Sequence, residues 1–215
     1  MTARYDSRRY ALINRWNPRN LELVIDWVNP QPGHRVLDVG CGRGHLVKAL
    51  GARGIETWGI DLNPNAEKIS AEVNVRTMSA TDLDFPDASF DAVVSFHAIE
   101  HIPPVEAVFT EVARVVKSAG KVLFVYPAEP VRGLYAIPTS VILHRSPFKA
   151  GRVHVHRFNP QKVKALGERA GLTEIRRSFR PWPAPEYASL FEKSDSRLGT
   201  RDLSKSDPCN SRGQR

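Results

Sequence analysis

The chain has 215 residues, enough for one domain with a proper core. Hydrophobic residues make up 41% and charged residues 25%, with a net charge of +8, the profile of an ordinary water-soluble globular chain. No apolar run approaches the roughly 20 residues needed to span a bilayer, the start MTARYDSRRYALINRW lacks the apolar segment and cleavage site of a signal peptide, and the two distant cysteines, Cys41 and Cys209, make a disulfide framework unexpected. A cytoplasmic location is therefore expected.

Residues 18–29 read as a helix opened by Pro18, with apolar residues at helical spacing and a stop at Pro30. RVLDV at 35–39 is a short apolar run of the kind that forms a buried strand. A glycine-rich turn follows, then a helix over 45–54. Residues 55–60 form the next strand, ending at Asp61. A helix over 64–72, a strand over 73–77 and a strand over 90–96 come next. A proline-started helix covers about 104–117, Gly120 closes it, and KVLFVY at 121–126 is a strand. Strands and helices thus alternate, which predicts an α/β fold with a doubly wound parallel sheet. In such a sheet the ligand crevice lies at the carboxyl ends of the strands.

Residues 127–158 break this rhythm with five prolines or glycines before Gly151 and three histidines. They read as an inserted lid or acceptor-binding segment after the fifth strand. Residues 160–171 are again a helix, and 172–179 a strand. The stretch from 194 is rich in Ser, Asp, Arg and Gly and reads as a disordered tail, so residues 1–193 are expected to form the folded domain.

The turn after the first strand carries Gly40, Gly42 and Gly44, with Asp38 just before them. Glycines there let backbone approach a ligand closely. The spacing is not the dinucleotide fingerprint G-x-G-x-x-G, because the last interval is one residue short and His45 stands where the third glycine should be. The stretch VLDVGCGRGHLVKALGARGIETWGIDLN instead resembles motif I and the acidic second-strand end of class I S-adenosylmethionine-dependent methyltransferases. The stretch LDFPDASFDAVVSFHAIEHIPPVEAVFTEVARVVKSAGKVLFV continues the resemblance, to the small-molecule (type 11) branch of that family.

The resemblance implies a Rossmann-like methyltransferase fold and S-adenosyl-L-methionine as cofactor. It puts the cofactor's methionine end over Gly40, Gly42 and Gly44, with Asp38 helping to hold the ammonium. Asp61 would accept the ribose hydroxyls, as two carboxylate oxygens can, with Leu62 beside it. The acid usual on the adenine strand falls on Ser79 here, so Ala80 and Thr81 are expected to supply adenine contacts, with Asp82 next to them. Ser95 and Phe96 are expected beside the sulfonium. The N-terminal Tyr5, Arg8, Arg9, Tyr10 and Trp16 are where relatives close over the cofactor, and Trp182 and Tyr187 are placed over the acceptor mouth.

Five of the seven histidines, His97, His101, His144, His154 and His156, fall between 97 and 156. HAIEH at 97–101 resembles the Glu-x-x-Glu-His motif of relatives that hold a divalent cation, among them quinone-biosynthesis and small-RNA 2′-O-methyltransferases. Glu100 and His101 match, and the first acid is His97. This resemblance implies Glu100, His101, His97 and His156 as ligands of Mg2+ or Mn2+. The competing reading of the same residues is the capping and orienting of a helix. His144 and His154 are the expected catalytic bases, since an imidazole near its unperturbed pKa of about 6.5 can take a hydroxyl proton at neutrality.

The expected activity is O-methylation of a small polyhydroxylated acceptor, with a sugar or mannoside-type oligosaccharide favoured because a cation site could hold a diol in a histidine-rich polar pocket, and because the composition and overall style also resemble actinobacterial enzymes that methylate sugars of polymethylated polysaccharides. A quinone, a lipid or an RNA hydroxyl is the alternative, and a non-catalytic cofactor-binding protein the alternative of another class. The basic residues are scattered rather than striped, so a solvated surface is favoured over a nucleic-acid footprint. The oligomeric state is left open between monomer and homodimer.

Overall fold

A computed structural model describes residues 17–63, 73–128, 156–181 and 185–194. The predicted helix 64–72, nearly all of the segment 127–158 and all but the first residue of the tail lie outside them.

Pro18 at the first turn and the Asn17 side chain, which accepts from the Arg19 N–H at 3.1 Å, start helix α1 (Pro18–Leu23). It widens into a π-helical turn over Val24–Val28 and stops at Asn29 in the left-handed region, just before the proline that marks its end in the sequence. Strand β1 (Arg35–Val39) follows, then α2 (His45–Gly51) and β2 (Glu56–Asp61). Next come β3 (Val75–Thr77), β4 (Phe90–Phe96), a 3-10 turn (Ile99–His101) and α3 (Val105–Val115). The chain continues into β5 (Val116–Pro127), α4 (Pro160–Arg169), β6 (Leu172–Arg180) and β7 (Glu186–Lys193).

The seven strands form one sheet in the order β3-β2-β1-β4-β5-β7-β6. β1 to β5 run parallel, whereas β7 is antiparallel to both β5 and β6. The five alternating strands read from the sequence are parallel as expected, and β7, which was not legible there, adds the antiparallel pairing. Its segment EYASLFEK is buried on both faces: Ala188 and Leu190 pack with one core cluster and Phe191 with the other, so no polar alternation survives. β5 also starts at Val116, directly from α3, rather than at 121. The glycine expected to end the helix instead sits inside a bent strand, where a Cβ on Gly120 would lie 2.7 Å from Val116 Cγ2 and 2.8 Å from the Lys117 carbonyl oxygen.

Both faces of the sheet are covered. Leu37, Val39, Val93, Val122 and Phe124 pack on one side with Val108, Phe109 and Val112 of α3 and Val163 and Leu166 of α4. Val36, Val94, Leu123 and Val125 pack on the other with Val24, Trp27 and Val28 of the first helical segment and Leu46 and Leu50 of α2. β1 is central, and its Val36, Leu37 and Val39 are fully buried, which explains the continuous apolar run that announced it. The strand order turns back between β1 and β4, so their carboxyl ends open a crevice at that switch point.

Candidate active site

Four chain segments leave the sheet at this crevice. The first is the turn 40–44. Gly40, Gly42 and Gly44 have φ of 78°, 54° and 67°, a region that L side chains avoid. A Cβ on Gly40 would lie 2.3 Å from Ala98 Cβ, so the turn sits against the segment leaving β4. The Gly40 and Cys41 N–H groups both donate to the Ile60 carbonyl oxygen, at 2.8 and 3.0 Å, which ties the turn to β2.

Asp38 and Asp61 frame the turn. Asp38 is buried, and burial, reinforced by the charge of Asp61, raises its carboxyl to about 7. The two Asp61 oxygens accept one backbone bond each, Oδ2 from Gly42 N–H at 2.9 Å and Oδ1 from Asn63 N–H at 2.9 Å. Leu62 is 62% exposed beside it. A buried acid of raised pKa that would gain from a cation, next to a held carboxylate flanked by an exposed apolar side chain, fits an amino acid joined to a nucleoside.

The third segment follows β3. Ser79 Oγ and Thr81 Oγ1 are 2.7 Å apart, the Thr81 N–H donates to Ser79 Oγ at 3.2 Å, and Ala80 between them is buried. The segment is anchored to α3: Glu111 accepts from Leu83 N–H at 2.8 Å, and Arg114 donates to the Leu83 and Phe85 carbonyl oxygens at 2.7 and 2.8 Å.

The fourth segment is the end of β4. Ser95 is fully buried and donates its hydroxyl to the Val39 carbonyl oxygen at 2.9 Å, so it bridges β4 and β1 at the switch point. Phe96 is partly buried and packs on the α1–α2 side. His97 has φ of 52° and donates its N–H to the Val125 carbonyl oxygen at 2.9 Å. Its Nε2 is 2.7 Å from Glu186 Oε2, and its Nδ1 is 3.7 Å from Glu100 Oε1. Glu100 is buried. Burial pushes its carboxyl up, but the neighbouring His97 and His101 imidazoles outweigh that and hold it at about 2. His101 Nε2 lies 3.9 Å from Glu100 Oε1, and Arg180 Nε lies 3.3 Å from Glu186 Oε1.

The four residues expected to bind a metal therefore do not converge as a ligand set. The His156 ring faces the Ile102 carbonyl oxygen at 3.2 Å and lies against Phe158, and only its backbone N–H reaches the Glu100 carbonyl oxygen, at 3.0 Å. His97 is turned to carboxylates rather than to a shared point. Among the described residues no three His, Cys, Asp or Glu side chains are placed to hold a metal ion, and Glu100 Oε2 is buried without a hydrogen-bond partner. Tyr187, expected at the acceptor mouth, lies on β7 with its ring 5.9 Å from Tyr126 and 5.2 Å from the half-exposed Phe179. His144, His154, Trp182 and the N-terminal aromatic and basic residues lie outside the described residues. Glu186 and Arg180 were missed in the sequence. Glu186 opens the strand that showed no pattern, and nothing near either residue marks a site.

The methyltransferase domain profile matches residues 5–176, which includes every segment that frames the crevice. The chain belongs to the methyltransferase domain family. The ubiquinone biosynthesis O-methyltransferase of Bordetella avium is 30% identical to this chain over 166 residues, covering 73% of the chain and 69% of that relative. The enzyme of the same description from Alkalilimnicola ehrlichii is 34% identical over 117 residues, covering 50% and 47%. The match thus spans about half to two-thirds of these relatives' own length. Among solved structures, a protein from Pyrococcus horikoshii shares the fold with a TM-score of 0.67 at 22% identity, over 89% of this chain and 94% of that one. The 1,6-didemethyltoxoflavin N1-methyltransferase of Burkholderia thailandensis, solved with S-adenosylhomocysteine, does so at 0.65 and 17%, over 89% and 84%. The methyltransferase fold with its mixed seven-stranded sheet is that of these structures. No helix among the described residues is long and apolar enough to cross a membrane.

Proposed function

We propose that this methyltransferase transfers the methyl group of S-adenosyl-L-methionine to a hydroxyl of a small ring acceptor of the quinol or phenol type. The observation that carries the cofactor is the pair of acids at the switch point, Asp38 buried behind the glycine turn and Asp61 bound to Gly42 N–H at 2.9 Å. The acceptor class rests on the relatives, whose described activity is O-methylation in ubiquinone biosynthesis. The sugar acceptor favoured from composition and style has no support among them, and the quinone alternative takes its place.

Bound in the crevice, the cofactor supplies a methyl group on a positively charged sulfur. The chain's part is binding, orientation and proton management. Asp38 neutralises the ammonium, and the N–H groups of the turn are available to the carboxylate. Asp61 holds the ribose, and Leu62, Ala80 and Thr81 flank the base. With the cofactor held by these residues, the chain's remaining task would be to hold the acceptor oxygen in line with the methyl group, and that alignment would supply most of the acceleration. A phenolic hydroxyl, with a pKa of about 10, gives up its proton to an imidazole far more readily than a sugar hydroxyl does. His144 and His154 are the proposed bases.

The test is a panel of labelled-methyl transfer reactions with catechols, a demethylated quinol analogue, mannosides and glucosides. The reading expects label on the phenolic acceptors. Transfer to sugars alone would overturn it.

A further inference from the structure

We propose that in this chain His97 takes the place of the cation that the Glu-x-x-Glu-His pattern suggests: its imidazole stands between the Glu100 and Glu186 carboxylates, hydrogen-bonded to Glu186, so the described residues there do not make a divalent-metal site. This does not depend on which acceptor is methylated.

The geometry is specific. Glu100 comes from the 3-10 turn after β4 and is 1% exposed, while Glu186 comes from the start of β7 and is 8% exposed. Two carboxylates this buried need compensating charge close by. His97 stands between them, with Nε2 2.7 Å from Glu186 Oε2 and Nδ1 3.7 Å from Glu100 Oε1. Arg180 meets Glu186 from the outside at 3.3 Å, and His101 meets Glu100 at 3.9 Å. The two acids therefore come from different elements and meet through the His97 ring, with Arg180 on the outer side of Glu186. A metal ligand set needs the reverse arrangement, acids and imidazoles with lone pairs aimed at one empty point.

The bridge is held rigidly from both ends. His97 sits at φ of 52°, a strained setting for a residue with a Cβ, and its N–H is fixed to the Val125 carbonyl oxygen at 2.9 Å. Glu186 is in register with Pro127, the last residue of β5. The bridge thus ties the ends of β4, β5 and β7 together at the crevice. An acid at position 97 would instead put three carboxylates here, a set that a divalent ion could neutralise.

The experiment is a Mn2+ titration of the full chain, read by the electron paramagnetic resonance of free Mn2+ and by thermal unfolding with and without chelator. For wild type we expect no depletion of the free-ion signal up to millimolar Mn2+ and no change of Tm on chelation. For His97→Glu we expect a Tm several degrees lower in chelator, restored by Mn2+ together with uptake of about one ion. Stoichiometric Mn2+ binding by wild type would overturn the proposal. So would a His97→Glu chain that is as stable as wild type in chelator and binds no ion. Should His97→Glu fold under neither condition, the cycle of His97→Gln, Glu186→Gln and the double variant decides. A bridge predicts that the double variant loses clearly less Tm than the sum of the single variants, whereas strict additivity would refute it.

Discussion

Replacing Asp38 by Asn separates the two roles this acid has at the switch point, because it moves stability and cofactor affinity in opposite directions. In the protein without ligand, burial and the neighbouring Asp61 raise the Asp38 carboxyl from 3.8 to about 7. The unfolded chain ionises it near 3.8, so unfolding releases a proton between those two values. Stability contributed by the neutral carboxyl is full below about pH 4 and is lost as pH rises to about 7. A carboxyl displaced that far carries about 4 kcal/mol above pH 7 as an upper figure. Asparagine has the same shape and no charge to bury. The variant should therefore unfold at a higher temperature than wild type at pH 8, by roughly 2–4 °C for each kcal/mol recovered, and the two should converge near pH 4. With S-adenosylhomocysteine the order reverses. The lost charge-assisted contact to the ammonium, worth about 1.5–3 kcal/mol, should weaken binding by roughly 10- to 100-fold, read by calorimetry at pH 8. Wild-type affinity should itself fall as pH drops below 7, because Asp38 must shed its proton to meet the ammonium. An Asn variant that is less stable than wild type at pH 8, or that binds the cofactor as tightly, would refute this reasoning.

Gly40→Ala places a Cβ 2.3 Å from Ala98 Cβ at a positive φ, so we expect about 1–3 kcal/mol lost in denaturant unfolding and a cofactor site too displaced to bind. Asp61→Ala removes the acceptor of the Gly42 and Asn63 N–H groups, and calorimetry should show a loss of cofactor affinity of about 10-fold or more with the fold intact by circular dichroism. Gly167→Ala drives a Cβ to 2.4 Å from Phe191 Cε1 between α4 and β7, an overpacking that should cost about 1–3 kcal/mol of stability, seen as a lower Tm, and leave kcat unchanged at permissive temperature. Of His144→Ala and His154→Ala, the one that removes the base should lose about 100-fold or more in kcat while binding S-adenosylhomocysteine normally. Wild-type rates in both would remove histidine from that role.

The residues proposed to hold the cofactor could be picked out from the sequence because their placement is local. Asp38, the three glycines and Asp61 each sit at the end of an apolar strand, and strand ends are where a doubly wound sheet puts its ligand. The structure keeps those five residues together and adds the contacts that shape them, such as Ala98 against Gly40. The His97 environment was not legible, since its partner Glu186 is brought in by an antiparallel strand with both faces buried and follows a proline-rich stretch that hides its start. The HAIEH spelling suggested ligands because the residue types fit a metal. Side-chain direction, which spelling does not encode, turns His156 to a backbone carbonyl and His97 to two acids. Ser95 likewise spends its hydroxyl on the Val39 carbonyl oxygen, a role set by strand pairing across the switch point rather than by its neighbours in sequence.

The central claim is that one cofactor lies across the ends of β1 and β2, gripped by an acid at each. A crystal structure of the chain with S-adenosylhomocysteine tests it most directly. We expect the ammonium beside Asp38, the ribose hydroxyls on Asp61 Oδ1 and Oδ2, and the adenine against Leu62 and the 79–81 segment. A ligand bound elsewhere, or a ribose turned away from Asp61, would contradict it.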